Sequence, residues 1–159
     1  AEHAGNRNYF GSEGIKAAKR SPIHSALARI ANVRATAPAL QRGVQLDITL
    51  EGNRAAFYRV YQHAGEHQVA LVMLNKGDAP QRFEITTMLQ AGQWRSALDG
   101  STVDVAEGGR LDAEVTAHGV QVFVLDAPVT QPLLRDASLL FLRAPVARVV
   151  PRGRNPRLA

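Results

Sequence analysis

"QVALVMLNKGDAPQRFEI", residues 68–85, decides how the rest of the chain is read. It has two apolar stretches either side of a turn, Lys76-Gly77-Asp78, and reads as a hairpin. "QVALVMLN" is almost continuously apolar, as expected of a central strand covered on both faces. Val69, Leu71, Val72, Leu74, Phe83 and Ile85 are expected in the core. Gly and Asp are turn formers, so Lys76, Gly77 and Asp78 are read as turn rather than as a site.

The same pattern extends in both directions. Upstream, "VQLDITLE" (44–51) alternates apolar and polar residues, and "RAAFYRVYQ" (54–62) follows the turn "EGN". Downstream, "QWRSALDG", "TVDVAEGG", "RLDAEVTA" and "VQVFVLDA" complete the series to residue 127. Turn signals recur about every 8–12 residues with no helical pattern between strands, the cadence of an antiparallel sandwich or barrel. The expected fold class is mainly β, an antiparallel Greek-key β-sandwich.

One amphipathic helix is expected ahead of the strands. In "SPIHSALARIANVRATAPAL", Ser21 suits the N-cap and Pro22 the first helical position. Ile23, Ala26, Leu27, Ile30 and Val33 form a stripe, and Pro38 ends the helix, giving a span of about 22–36. Residues 1–20 read as a loop. After Ala127 the pattern changes: residues 128–159 hold five of the eight prolines, six Arg and one Asp. A short apolar helix over Leu133–Leu142 is expected there, and the remainder reads as a flexible basic tail.

Composition narrows the function classes. The chain has 159 residues, 45% of them apolar, and no cysteine, which removes disulfides, thiolate metal sites and cysteine nucleophiles. Residues 1–127 carry 13 Lys+Arg and 13 Asp+Glu, so the net charge of +5 resides in the tail and no nucleic-acid face is indicated. No apolar run approaches the roughly 18 residues of a membrane span. The opening "AEHAGNRNYFG" has neither the basic nor the apolar region expected of a signal peptide. It starts mid-phrase without Met and reads as a fragment lacking its N-terminal part. The compartment stays open, whether bacterial and secreted, periplasmic or cytoplasmic.

The search for chemistry returns a negative. No phosphate-binding loop appears, and "GSEG" at 11–14 lacks the spacing of a nucleophile elbow. His63 and His67 flank a Gly-containing turn and read as solvated imidazoles rather than metal ligands. Asp47, Glu51, Glu84, Asp99, Asp104, Asp112 and Glu114 are scattered over strands and turns, and their spacing selects no catalytic pair. Trp94 reads as packing, with an exposed sugar platform as the alternative. No metal site and no cofactor are expected in this chain.

The order of parts resembles the C-terminal end of α-amylase superfamily glycoside hydrolases, in particular the cyclomaltodextrin glucanotransferase and cyclomaltodextrinase branch. A loop rich in Gly, Asn and Arg precedes a helix ending in "R-x-x-x-P-A-L-x-x-G" (34–43). An antiparallel domain follows with "AAFYRVY", "ALVMLNKGD" and a final "GVQVFVLDA". The resemblance implies that residues 1–43 are the last loop and helix of a (β/α)8 catalytic barrel, 44–127 the β-sandwich called domain C, and 128–159 a tail. Glu2 is similar to the acidic residue of the family's "Y-Y-G-x-E" phrase. Asn6 and Arg7 are similar to the "N-R" of its "D-P-x-N-R" sugar-binding loop, with Ala4-Gly5 in place of Asp-Pro. Glu2, Asn6 and Arg7 are therefore the implied substrate-binding residues. The implied partners are the missing barrel and an α-glucan, with no nucleic acid and no membrane. Catalytic carboxylates, and calcium if the complete enzyme uses it, would lie outside this chain.

Two other readings compete: a free-standing carbohydrate-binding module, and a structural sandwich with a polyanion-binding tail. A barrel fragment should leave Ile23, Leu27 and Ile30 exposed. A free-standing module should pack that helix fully and display Trp94 or a pair of tyrosines.

Overall fold

The structure, a computed structural model, describes residues 11–142. Three helices lead into eight strands: α1 (Gly11–Lys19), α2 (Pro22–Thr36) and α3 (Pro38–Arg42). The strands are β1 (Val44–Glu51), β2 (Arg54–His63), β3 (Glu66–Asn75), β4 (Gln81–Ile85), β5 (Gly92–Ser96), β6 (Thr102–Val105), β7 (Leu111–Val115) and β8 (Val120–Leu125). A last helix, α4, covers Pro132–Leu142. All eight expected strands are present, and the fold is mainly antiparallel β.

The sandwich has unequal layers. Its six-stranded sheet runs β1-β2-β3-β8-β5-β6, and its second sheet has only β4 and β7. The chain crosses between the sheets at β3–β4, β4–β5, β6–β7 and β7–β8. The expected hairpin over residues 68–85 is therefore not a hairpin. β3 pairs with β2 and β8, whereas β4 pairs with β7 in the other layer.

Asn75 accounts for the departure. Its side chain is buried, and its Nδ2 donates to the carbonyls of Ala79 (2.8 Å), Thr116 (3.0 Å) and Val115 (3.2 Å). Its Oδ1 accepts from the Gly77 amide at 2.9 Å. One amide group thus shapes the turn and ties it to the end of β7, delivering the chain to the second sheet. A buried amide satisfied on both ends is worth keeping in a strand-end position where an unsatisfied one would be costly.

β3 is the central strand that the apolar run predicts, with every residue from Gln68 to Met73 buried. Val69, Leu71 and Met73 face the core between the sheets, and Ala70 and Val72 face the helices. Leu74, expected in the core, is 38% exposed because it lies beyond the helices on the outer face. Trp94 and Tyr58 anchor the inner core, opposite Phe83, Ile85, Leu111 and Val115 of the small sheet.

The two-stranded sheet is too narrow to cover the inner face of β1 and β2, and α4 lies against those strands. Leu134 and Val129 enter the core, and Ser138 on the same face of α4 accepts from Gln62 Nε2 at 2.6 Å. Gln90, itself buried, holds the approach to α4: its Oε1 accepts from Thr130 N (2.8 Å) and Gln131 N (3.2 Å), and its Nε2 donates to Pro128 O (2.9 Å). The short helix expected over Leu133–Leu142 is thus present and is a structural part of the sandwich.

The N-terminal part differs from expectation in two places. Gly11–Lys19, read as loop, is helical and carries a Glu13–Lys16 pair at 2.8 Å. Pro38 ends α2 as expected, but also starts α3, because a proline needs no amide donor at the first helical position. Among the described residues, three helices rather than one precede the strands. The expected N-cap holds: Ser21 Oγ accepts from His24 N at 3.2 Å.

Candidate docking face and groove

α2 is attached to the domain at one end only. Every residue from Pro22 to Asn32 is exposed, on all sides of the helix, and Val33 is its one buried residue. α1 has none. Ile23, Leu27 and Ile30 are 72%, 61% and 47% exposed, and Ile15 of α1 is 53% exposed. Isolated helices of this length are marginal in water, and most helical stability in proteins comes from packing an apolar face. Residues 11–32 thus form an arm that presents an apolar stripe with no partner among the described residues.

The base of the arm is firmly held. Ala39, at the start of α3, is completely buried, and its amide donates to Gln68 Oε1 at 3.0 Å. Gln68 Nε2 donates in turn to Asp126 Oδ1 at 2.6 Å, and Asp126 Oδ2 accepts from Arg95 at 3.3 Å. Gln41 Nε2 donates to the carbonyls of Arg34 and Ala35 in the last turn of α2.

Between α2 and the outer face of the large sheet lies a groove of about 290 Å3. Ile30, Val33, Leu40, Phe57, Val72 and Leu98 supply most of its apolar wall. Its polar lining consists of Arg34, Arg59 and Gln45, with no carboxylate. Arg59 spans the groove floor, with Nε 3.4 Å from Ala39 O and Nη1 3.5 Å from Gln45 Oε1.

Charge is segregated along the fold. Residues 11–43 carry six Lys+Arg and one Asp+Glu, and residues 44–142 carry seven and twelve. The helical layer is therefore net +5 and the strands with α4 net −5. The balance read over residues 1–127 hides this separation, since the two excesses largely cancel.

Glu2, Asn6 and Arg7 lie outside the described residues. Trp94 is fully buried, and its Nε1 donates to Gln90 O at 2.9 Å, so it is packing and not a platform. His63 and His67 flank the tight β2–β3 turn, where Ala64 and Gly65 both have positive φ. Among the described residues, no group of three or more His, Cys, Asp or Glu is arranged to hold a metal ion. Glu84 and Asp112 are direct cross-strand neighbours on the outside of the small sheet, a pairing that spacing did not reveal. Arg110 bridges them, at 3.5 and 3.0 Å, on an open surface with no cleft.

Among the described residues, two ionisable groups are clearly perturbed. Burial pushes the Tyr58 phenol well above its ordinary value, and its OH donates to Thr87 O at 3.0 Å. Hydrogen bonds from the Ser101 hydroxyl and amide, with Ser96, hold the Asp99 carboxyl below the usual range in the β5–β6 turn. Neither group faces the groove.

No protein-family model and no curated protein matches the sequence. Solved structures do match in three dimensions. An Anoxybacillus α-amylase is 22% identical over 62% of this chain and 21% of its own length, with a TM-score of 0.51. The α-amylase GTA of Geobacillus thermoleovorans, solved with acarbose, is 22% identical over 67% and 23%, with a TM-score of 0.56. AmyP, solved with maltose, is 16% identical over 65% and 20%, with a TM-score of 0.53. This chain thus spans about a fifth of the length of each enzyme it matches, and at these identities what it shares with them is a fold carried by α-amylases.

Proposed function

We propose that this chain is the C-terminal part of an α-glucan-active glycoside hydrolase or glucanotransferase, within the cyclomaltodextrin glucanotransferase and cyclomaltodextrinase branch. Its role is to support a (β/α)8 barrel, with α2 as the last barrel helix and the sandwich as domain C. The observation that carries this reading is the arm, which displays an apolar stripe on a helix exposed all round. An exposed apolar surface of that kind marks an interaction site. The shared fold with α-amylases supplies the class of partner.

On this reading the chain holds no catalytic group. The complete enzyme uses a retaining double displacement by two barrel carboxylates. Glu2, Asn6 and Arg7, which precede α1 in the sequence, are the substrate-binding residues on this reading. The sandwich covers an outer face of the barrel, away from the strand ends where barrel catalysis occurs.

The test compares hydrogen exchange of residues 22–32 in this chain with that in a longer polypeptide that carries the preceding barrel. Fast exchange here and strong protection there is expected, together with hydrolysis of maltodextrin by the longer protein only. Cleavage of maltodextrin by the 159-residue chain alone overturns the reading. So does an arm that stays unprotected in the longer protein.

A further inference from the structure

The groove beside the arm carries information about the surface that covers it. Arg34 and Arg59 both line a space whose other walls are almost entirely apolar, and no carboxylate lines it. Asp47, on the same face of β1 as Gln45, is engaged by Gln45 Nε2 at 2.8 Å and stays outside the groove. Covering this groove with a purely apolar surface would strip water from two cations whose neutral partners there, Ala39 O and Gln45 Oε1 beside Arg59, carry no countercharge, which is unfavourable. An anion arriving with the cover removes that cost, and a guanidinium is the group best suited to hold a carboxylate through paired hydrogen bonds.

We propose that the groove is an anchor site for an acidic–apolar segment of the partner protein. One aliphatic or aromatic side chain enters between Ile30 and Val72, and a neighbouring Asp or Glu carboxylate binds Arg34 and Arg59. The proposal rests on the reading above only in taking the partner to be the surface that covers α2.

Charge argues against the ends of this chain and against an arm-to-arm pair of copies. Residues 143–159 contain five Arg and no Asp or Glu, and residues 1–10 contain one Glu and one Arg, so neither end of this chain brings a surplus of carboxylate. A second copy docked arm to arm would set one helical layer of net +5 against another. The stripe itself has the same bias: Arg34 follows Ile23, Leu27 and Ile30 at the next helical step, so the apolar line ends in a cation at the groove.

The first test titrates methyl-labelled chain with 4-phenylbutyrate, 4-phenylbutanamide and 4-phenylbutylamine, three probes of one shape and different charge. The expected result is that the carboxylate shifts the methyls of Ile30, Val72 and Leu98, binding about tenfold or more tightly than the amide, as a charge-assisted contact implies. The amine is expected to bind more weakly still. Arg34→Gln, on the exposed helix, should remove much of the carboxylate preference without disturbing the fold, and adding Arg59→Gln should remove the rest. Arg110→Gln, on the small sheet and outside the groove, should leave it intact. Equal binding of the amine, or a carboxylate preference that survives in R34Q/R59Q, overturns the proposal.

The second test places R34Q/R59Q in the longer polypeptide. Loss of the exchange protection of α2 seen in the unsubstituted longer protein supports the anchor, and unchanged protection overturns it. Where the unsubstituted longer protein never protects α2, the barrel-support reading fails, and the three-probe titration alone decides the groove.

Discussion

At the scale of residues, the core depends on side chains that sequence spacing treats as unremarkable. Trp94 is fully buried, lies 6.4 Å centroid to centroid from Tyr58, and spends its one donor on Gln90 O. Trp94→Ala should cost about 3–5 kcal/mol in urea unfolding, the range for emptying a large aromatic site. Tyr58 sets an alkaline limit. Its folded pKa lies above the ordinary value of 10.0, so the fold holds the protonated phenol. That contribution is complete below about pH 10 and is lost as pH rises toward the folded value. Stability should therefore fall above pH 10. Tyr58→Phe, which cannot ionise, should flatten that part of the profile at the expense of the bond to Thr87. Gly43 has a different constraint, from space and not from φ. A Cβ there would sit 2.5 Å from Ala39 O and 3.0 Å from the Val60 backbone, because α3 turns directly onto β2 at that point.

At the scale of elements, the two terminal helical pieces are opposites. The arm contributes no buried residue, so replacing Ile23, Leu27 and Ile30 together by Gln should change sandwich stability by no more than about 0.5 kcal/mol, the usual effect of surface substitutions. The same variant should bind less of a hydrophobic dye, because its stripe is gone. α4 is integral. It supplies the second layer over β1 and β2 that a two-stranded sheet cannot reach, and Leu134→Ala should cost about 2–5 kcal/mol by chemical denaturation. In the sequence, α2 shows an apolar stripe and α4 only a short apolar run. Periodicity reports that a face is apolar, and it does not say whether this domain or another surface covers it.

At the scale of the whole molecule, stability resides in the sandwich and α4, and the arm that is the proposed docking element adds little to it. Removing residues 1–32 should leave the unfolding midpoint of the remainder nearly unchanged. Removing 128–159 should lower it and expose the inner face of β1 and β2, and differential scanning calorimetry of the two truncations checks both outcomes. The sequence by itself determined the eight strands, the first and last residues of α2 and the burial of β3 on both faces. Each of these follows from local chemistry: alternation along a pleated strand, a Ser-Pro start, a proline stop. Tertiary structure alone decided which strands pair, since residues 68–85 look like a hairpin and become two sheets through the hydrogen bonds of Asn75. It also decided that α4 completes the sandwich, that Arg34 and Arg59 share one groove, and that positive and negative charge divide between helices and strands. Those are relations between residues far apart in the chain, and no periodicity or composition encodes a distance across the fold.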